Sequence, residues 1–319
     1  MAPYYTKSEG ARLENGSASP YANGEILARP VPLWLLRIAW VTLPITAGPA
    51  ASSALADWSD GPRVVAEVML WVAWGAGLLA TIAPRPETLT VLRTIAPAFL
   101  VFAIVAVVDG EPSTLEAVGA LVATAVAAGL TSGHDIAIAA ANAVAYGDEQ
   151  RVPLRVPPAL FLAPIPLARA LVVAAVIAGP LLLADGETVA GVVAVVVGVP
   201  LLLVLTRALH GLSRRWAVLV PAGFVVVDPM TLAEPVLLLR EHIRAMAAVA
   251  PGPAPADALD LRLGATAGSV VVRFDEEAEI FRAARRRRTD TVRTPALCVA
   301  LVRRDAMLRA AAARRLPVR

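Results

Sequence analysis

Apolar and polar positions alternate on two different scales along the chain. Between residues 31 and 208 six long runs are apolar at nearly every position: 31–54, 64–83, 90–108, 114–133, 159–184 and 188–208. A run of about 20 residues crosses a hydrocarbon core about 30 Å thick at about 1.5 Å per helical residue. A backbone inside hydrocarbon has to bond to itself, so each run predicts a membrane-spanning helix. Past Gly211 the runs shorten to "RWAVLVP", "GFVVVDP", "PVLLLREHIRAM", "ALDLRLGA", "SVVVRFD" and "PALCVALV", cut by Gly, Pro and Asp. Short Val- and Leu-rich runs with such boundaries predict strands. In "LDLRL", alternation puts Leu259, Leu261 and Leu263 on one face and Asp260 and Arg262 on the other. The ending "RRDAMLRAAAARRL" predicts a helix with its arginines late, where the helix dipole favours cations. The fold class expected is an α-helical polytopic membrane bundle of about six transmembrane helices plus a β-rich (α+β) C-terminal domain. Its six or seven strands would form a partly open barrel or two packed sheets. The organisation reads as a polar tail over 1–30, a six-helix domain over 31–211 and the β-rich domain over 212–319.

Composition agrees with the membrane reading. Hydrophobic residues make up 57% of the 319, but aromatics only 5%, so the excess is Ala, Val and Leu. Cys298 is the lone cysteine, which rules out an intrachain disulfide and reads as a small buried hydrophobe. The first thirty residues have no apolar core, so no cleavable signal peptide is expected.

Charge sets the orientation. Arginines and the single lysine collect in alternate connections: Lys7, Arg12 and Arg29, then Arg85 and Arg93, then Arg151 and Arg155, then Arg207, Arg214 and Arg215. The other connections hold Asp57, Asp60 and Arg63, then Asp109 and Glu111, then Asp185 and Glu187. The positive-inside rule then predicts a multi-pass protein of the cell (inner) membrane with both termini in the cytoplasm. "YGDEQRVPLRVPP" reads as the cytoplasmic loop between the fourth and fifth spans, and the C-terminal domain as cytoplasmic.

Leaving aside Arg207 at the very end of the sixth run, five charges fall inside the apolar runs. Arg37, Glu67, Arg93 and Glu116 lie near helix ends, where long side chains reach water. Arg169 is about eleven residues into the fifth run and has two readings. Either "PPALFLAPIP" lies in the interface, the crossing starts near Leu167 and Arg169 reaches the surface, or Arg169 faces the bundle interior. Prolines recur at Pro44, Pro49, Pro97, Pro164, Pro166, Pro180 and Pro200; they suit a transporter's broken helices and are also common in membrane helices generally. No internal repeat supports a transporter.

Candidate chemistry is sparse. His134 beside Asp135 in "SGHD" can shuttle protons or simply form an interfacial pair. Asp148 and Glu149 are adjacent in "YGDEQR", too close in sequence to converge as a general acid–base pair on a helix, and read as a loop held by Arg151 and Arg155. These six residues and Arg169 are the binding candidates. In "RAARRRR", Arg285, Arg286, Arg287 and Arg288 are candidates for contact with anionic lipid headgroups, with a solvated loop neutralised by "DEEAE" as the alternative. No aromatic residues interleave these arginines, so nucleic acid is not expected as a partner. No ligand spacing for a metal exists, and no GxGxxG, P-loop, GxSxG or HExxH; no cofactor and no catalytic residue are assigned.

The residues "RRWAVLVPAGFVVVDP" and "CVALVRRDAMLRAAAAR" resemble the first hairpin and the capping helix of bacterial pleckstrin-homology-like domains that follow transmembrane helices. "YGDEQRVPLRVPP" followed by "PLARALVVAAVIAGPLLLA" is similar to multi-pass membrane proteins of high-GC actinobacteria. The resemblance implies a domain that binds lipids, peptides or partner proteins. The expected function is a membrane-anchored binding or scaffold protein, with the bilayer, anionic headgroups or other membrane proteins as partners. The alternatives are a transporter or channel subunit with a site near Arg169, and an intramembrane enzyme using His134 with Asp148 or Glu149.

Overall fold

The structure, a computed structural model, describes residues 30–283 and 289–319. Almost all of the tail read over 1–30, and Arg285, Arg286, Arg287 and Arg288, lie outside the described residues. The helices in chain order are α1 (Pro30–Thr46), α2 (Gly48–Ala54), α3 (Asp60–Ile82), α4 (Pro86–Asp109), α5 (Thr114–Ser132) and the short α6 (His134–Asn142). After strand β1 (Gln150–Pro153) come α7 (Pro158–Leu162), α8 (Pro164–Ala184) and α9 (Thr188–Ser213). Among the described residues six helical stretches are long and apolar enough to cross a membrane: α1 with α2, then α3, α4, α5, α8 and α9. The first of the six expected runs is two helices, because the chain breaks at Ala47 ahead of Gly48 and Pro49. The fifth begins at Pro164, so Arg169 is five residues into its helix rather than eleven.

Basic connections gather at the end of the bundle that carries α6, and the acidic connections 54–60, 109–114 and 184–188 gather at the other. Three of the prolines, Pro49, Pro164 and Pro166, stand in first helical turns, where no intrahelical N–H is needed. Threonines in the spans return their hydroxyls to carbonyls three or four residues back, as Thr94, Thr124 and Thr131 do, so buried hydroxyls are not left bare. Glu116 closes a capping box with Ser113, and Glu67 pairs with Arg63 at 3.0 Å.

Trp40 of α1 is the hub of the bundle. It is fully buried; its indole N–H donates to the Trp74 carbonyl (2.8 Å) while Trp74 donates back to the Trp40 carbonyl (2.9 Å). Its ring meets Phe99 of α4 edge-on at 5.6 Å. The indole lies flat on α3 only because position 77 has no side chain: a Cβ on Gly77 would sit 1.9 Å from a Trp40 ring carbon.

The C-terminal region holds β2 (Trp216–Val220), β3 (Gly223–Val227), β4 (Val236–Leu239), β5 (Ile243–Ala248), β6 (Ala258–Asp260), β7 (Ser269–Ala283), β8 (Thr289–Ala300) and α10 (Arg304–Ala313). They form two four-stranded sheets, ordered β1-β2-β3-β4 and β5-β7-β8-β6; all pairs are antiparallel except β6 with β8. Phe224, Met246, Leu297 and Met307 lie in their shared core.

Three local expectations are corrected. "LDLRL" is a strand only to Asp260; the chain then turns through Leu263 (φ +54°) and Gly264 (φ +90°). Arg262 goes inward instead of outward, because its guanidinium is satisfied by both Asp260 oxygens (2.9 Å each), the Ser269 hydroxyl (2.9 Å) and the Gly252 carbonyl (3.1 Å). The solvated-loop alternative for "RAARRRR" is too long at its start: β7 takes in "DEEAE" (275–279) and runs on through Arg282 and Ala283, since an exposed strand tolerates charge on its solvent side.

The third correction concerns "YGDEQRVPLRVPP". Residues 150–153 are the edge strand of the first sheet, with Arg151 opposite Val218, so the β-rich region is not confined to 212–319. Asn142 sets this up. Its side chain accepts from the Arg151 N–H (2.9 Å) and donates to the Arg151 carbonyl (2.8 Å), imitating a strand partner at the end of α6. The chain then crosses to the second sheet, where the Arg155 N–H donates to the Ala300 carbonyl (2.8 Å).

Where α9 gives way to β2, Arg215 forms a two-pronged ion pair with Asp228, 2.8 Å on each prong, with the side chains 1% and 0% exposed. Arg215 also donates to the carbonyls of Arg155 (3.2 Å) and Leu261 (3.4 Å), and Asp228 accepts from the Met230 N–H (3.0 Å).

Gly77→Ala should destabilise the bundle by about 1–3 kcal/mol, the usual range for overpacking. Gly75→Ala, on the same helix with nothing within 4 Å of its Cβ, should be neutral or slightly stabilising. Thermal unfolding in detergent compares the two, and equal melting points would refute the packing account. Asp228→Ala strands a buried guanidinium and should cost about 3–5 kcal/mol. The paired change Arg215→Met with Asp228→Leu should recover most of that loss by the same measurement.

Candidate functional site

Where the bundle meets the sheets, a partly open cavity of about 330 Å³ is lined by five basic side chains: Arg93, His134, Arg155, Arg169 and Arg215. Among the described residues no carboxylate lines it. Each group arrives by a different route. Arg93 stands two turns into α4, with its Nε donating to the Thr131 carbonyl (3.2 Å) at the end of α5. Helix ends leave such carbonyls without intrahelical partners, so one face of the guanidinium caps α5 and the other is left to the cavity. Arg37 treats α3 the same way, donating to the Thr81 carbonyl (3.1 Å). Arg155 follows β1 and donates to the carbonyls of Leu301 (3.1 Å) and Val302 (3.5 Å). Arg215 is the one member neutralised by an acid. Arg169, half-buried, has no hydrogen-bond or ion-pair partner among the described residues.

Thr90 and Ser213 add hydroxyls to the wall, joined to each other at 3.0 Å. Leu89, Ile165, Leu209, Leu212 and Phe161 supply its apolar part. Phe161 is also more than half exposed, so α7 is a lip of the cavity and not a seal.

The other sequence candidates are placed elsewhere. Asp135, next to His134, forms an ion pair with Arg303. Glu149 pairs with Arg151 (2.8 Å), whose guanidinium lies 5.5 Å over the Trp216 ring. Asp148 is exposed, and its carbonyl accepts from Arg314. The cavity therefore holds His134, Arg155 and Arg169 but neither Asp148 nor Glu149, and the acid–base constellation of an intramembrane enzyme is not assembled. Arg93 was legible only as a residue near a helix end; its convergence with Arg169 depends on how α4 and α8 pack.

Burial pushes the His134 pKa below its ordinary value, and Arg155 and Arg93 push it further down. Asp135 works against that shift and Arg303 adds to it. His134 therefore enters the wall neutral at pH 7. Elsewhere, burial pushes the Cys298 thiol up to about 11, which keeps it an unreactive core residue. A second cavity of about 470 Å³, by the break between α1 and α2, is mainly apolar, with Ser52 and Glu67 as its polar side chains, and Arg63 pairs Glu67. No group of three or more His, Cys, Asp or Glu that could hold a metal occurs among the described residues.

No protein-family model, curated protein or solved structure matches the chain.

With three histidines in the chain, NMR of labelled histidine in micelles can follow His134 directly. It should titrate below 6.5. Arg155→Gln should move it up by removing a nearby positive charge, and Asp135→Asn should move it down. A midpoint at or above 6.5 in the unaltered protein would contradict the cationic wall.

Proposed function

We propose that the chain is a non-enzymatic binding protein anchored in the cell membrane, with its ligand site where the bundle meets the β-rich region. Both termini lie in the cytoplasm in this reading, which the sorting of arginine to one end of the bundle supports. The β-rich region is read as a pleckstrin-homology-like domain, supported by two four-stranded sheets followed by a single helix. Such a protein serves as a scaffold at the inner face, presenting a fixed domain to lipid or to other membrane proteins.

One observation carries the reading: three arginines without a facing carboxylate line a cavity whose walls come from both halves of the molecule. Charges held apart from acids in a partly dry site are the signature of an absent anion. The transporter reading rests on Arg169 in the wall and on Pro97, Pro180 and Pro200 within spans. A transport site belongs near the bilayer midplane. Arg169 and Arg93 are instead five and seven residues from their helix starts, which is about 8 and 10 Å along the axis.

Reconstitution separates the two. Vesicles loaded with phosphate or sulfate should leak no faster with the intact protein than without it. Anion flux that needs the protein and is lost in Arg169→Gln would overturn the binding reading in favour of transport.

A further inference from the structure

The depth of the junction cavity and the mixture of its walls narrow what it can hold. Arg169 and Arg93 lie about 8–10 Å from the ends of α8 and α4 at about 1.5 Å per residue, which is about 7 Å inside the edge of a core about 30 Å thick, so that their long side chains reach toward the headgroups. A small hydrated anion would need polar groups all round. Here the lining mixes Arg93, Arg155, Arg169 and the Thr90–Ser213 hydroxyl pair with apolar residues such as Leu89, Phe161, Ile165 and Leu209. The lip toward lipid is α7, whose Phe161 and Leu162 are 55% and 86% exposed.

We propose that this cavity binds the phosphate group of an anionic phospholipid, with the glycerol and upper acyl chains leaving over α7. Guanidinium groups fit phosphate oxygens in pairs, and three of them here have donors to spare: among the described residues Arg169 has no bonding partner, only the Nε of Arg93 is engaged, and Arg155 keeps one terminal nitrogen free. Glu87 is the nearest acid on the α4 side, and it is exposed and turned to His210 at 3.8 Å, outside the wall. The bound lipid becomes a structural part of the junction, since it touches α4, α8 and the segment after β1 together.

The inference rests on the binding reading above and can fail separately from it. The test uses the intact protein, delipidated in neutral detergent, with melting temperature and native mass spectrometry as readouts. Probes are phosphatidylglycerol, phosphatidylcholine and inorganic phosphate. Phosphatidylglycerol should raise the melting temperature and stay bound, phosphatidylcholine should do neither, and inorganic phosphate should compete only weakly. Arg169→Gln and Arg155→Gln should each weaken phosphatidylglycerol binding by about tenfold or more, as expected for a lost charge-assisted bond. Without lipid, Arg169→Gln should melt no lower than the parent, because the side chain it removes has no partner among the described residues. Arg244→Gln, an exposed arginine away from the cavity, should leave binding unchanged. Equal binding by Arg169→Gln and the parent, equal binding of the two lipids, or saturation by inorganic phosphate alone would each overturn the inference. Anion flux with lipid selectivity intact would overturn the binding reading alone.

Discussion

The ion pair between Arg215 and Asp228 fixes where everything else sits. Arg215 is the second residue past the last membrane helix and the residue before the first strand of the C-terminal hairpin. With both side chains essentially without water, the pair carries a large desolvation penalty, and such pairs are often no more stable than well-packed apolar residues. What it supplies is position. One guanidinium holds the end of β3 through Asp228, the segment after β1 through the Arg155 carbonyl and the turn after β6 through the Leu261 carbonyl. The strands cannot pivot about the end of α9 without exposing a charge. The β-rich region is therefore not a module on a tether: its edge strand comes from between the fourth and fifth spans, and its neighbour β2 follows directly from the sixth.

Much of this was legible in the sequence, because membrane helices announce themselves by length and composition. Runs of about 20 apolar residues have no other stable form in hydrocarbon. The short Val- and Leu-rich strands were also legible, since Gly and Pro mark their ends. What stayed hidden has a common cause: polar residues whose role depends on a partner far away in the chain. Asn142 looks like a stray amide in an apolar helix until Arg151 meets it from nine residues on. Arg151 looks like a topogenic charge, but its backbone is the edge of a sheet. Asp228 looks like a turn residue before Pro229. The start of "RAARRRR" looks like a solvated loop because a strand exposed to solvent has no apolar signature there.

The candidate site was half legible for the same reason. Arg155 and Arg169 stand out as single polar residues against apolar neighbours and His134 as half of a His–Asp pair, and all three line the cavity. Arg93 did not stand out, since an arginine near the end of a span has an adequate local explanation in water. It has one here as well, the cap on α5, but that uses only one of its three nitrogens. A residue can be structural through one donor and functional through the others, and sequence position cannot separate the two uses.

The cost of the arrangement is the strongest clue to its purpose. Like charges in a partly dry cavity repel more than they would in water, because the local dielectric is lower. A protein under no demand for such a site would place Asp or Glu in the wall, as this one does for Arg215 and Arg262 a short distance away. The same chain therefore shows both solutions: buried arginines that fold with an acid, and arginines that fold without one. Three of the second group, Arg93, Arg155 and Arg169, gather in one cavity, within side-chain reach of the headgroups and beside a lip of exposed apolar residues. A missing negative charge that arrives from the bilayer accounts for the position and the composition of the wall together, whereas helix capping accounts only for Arg93.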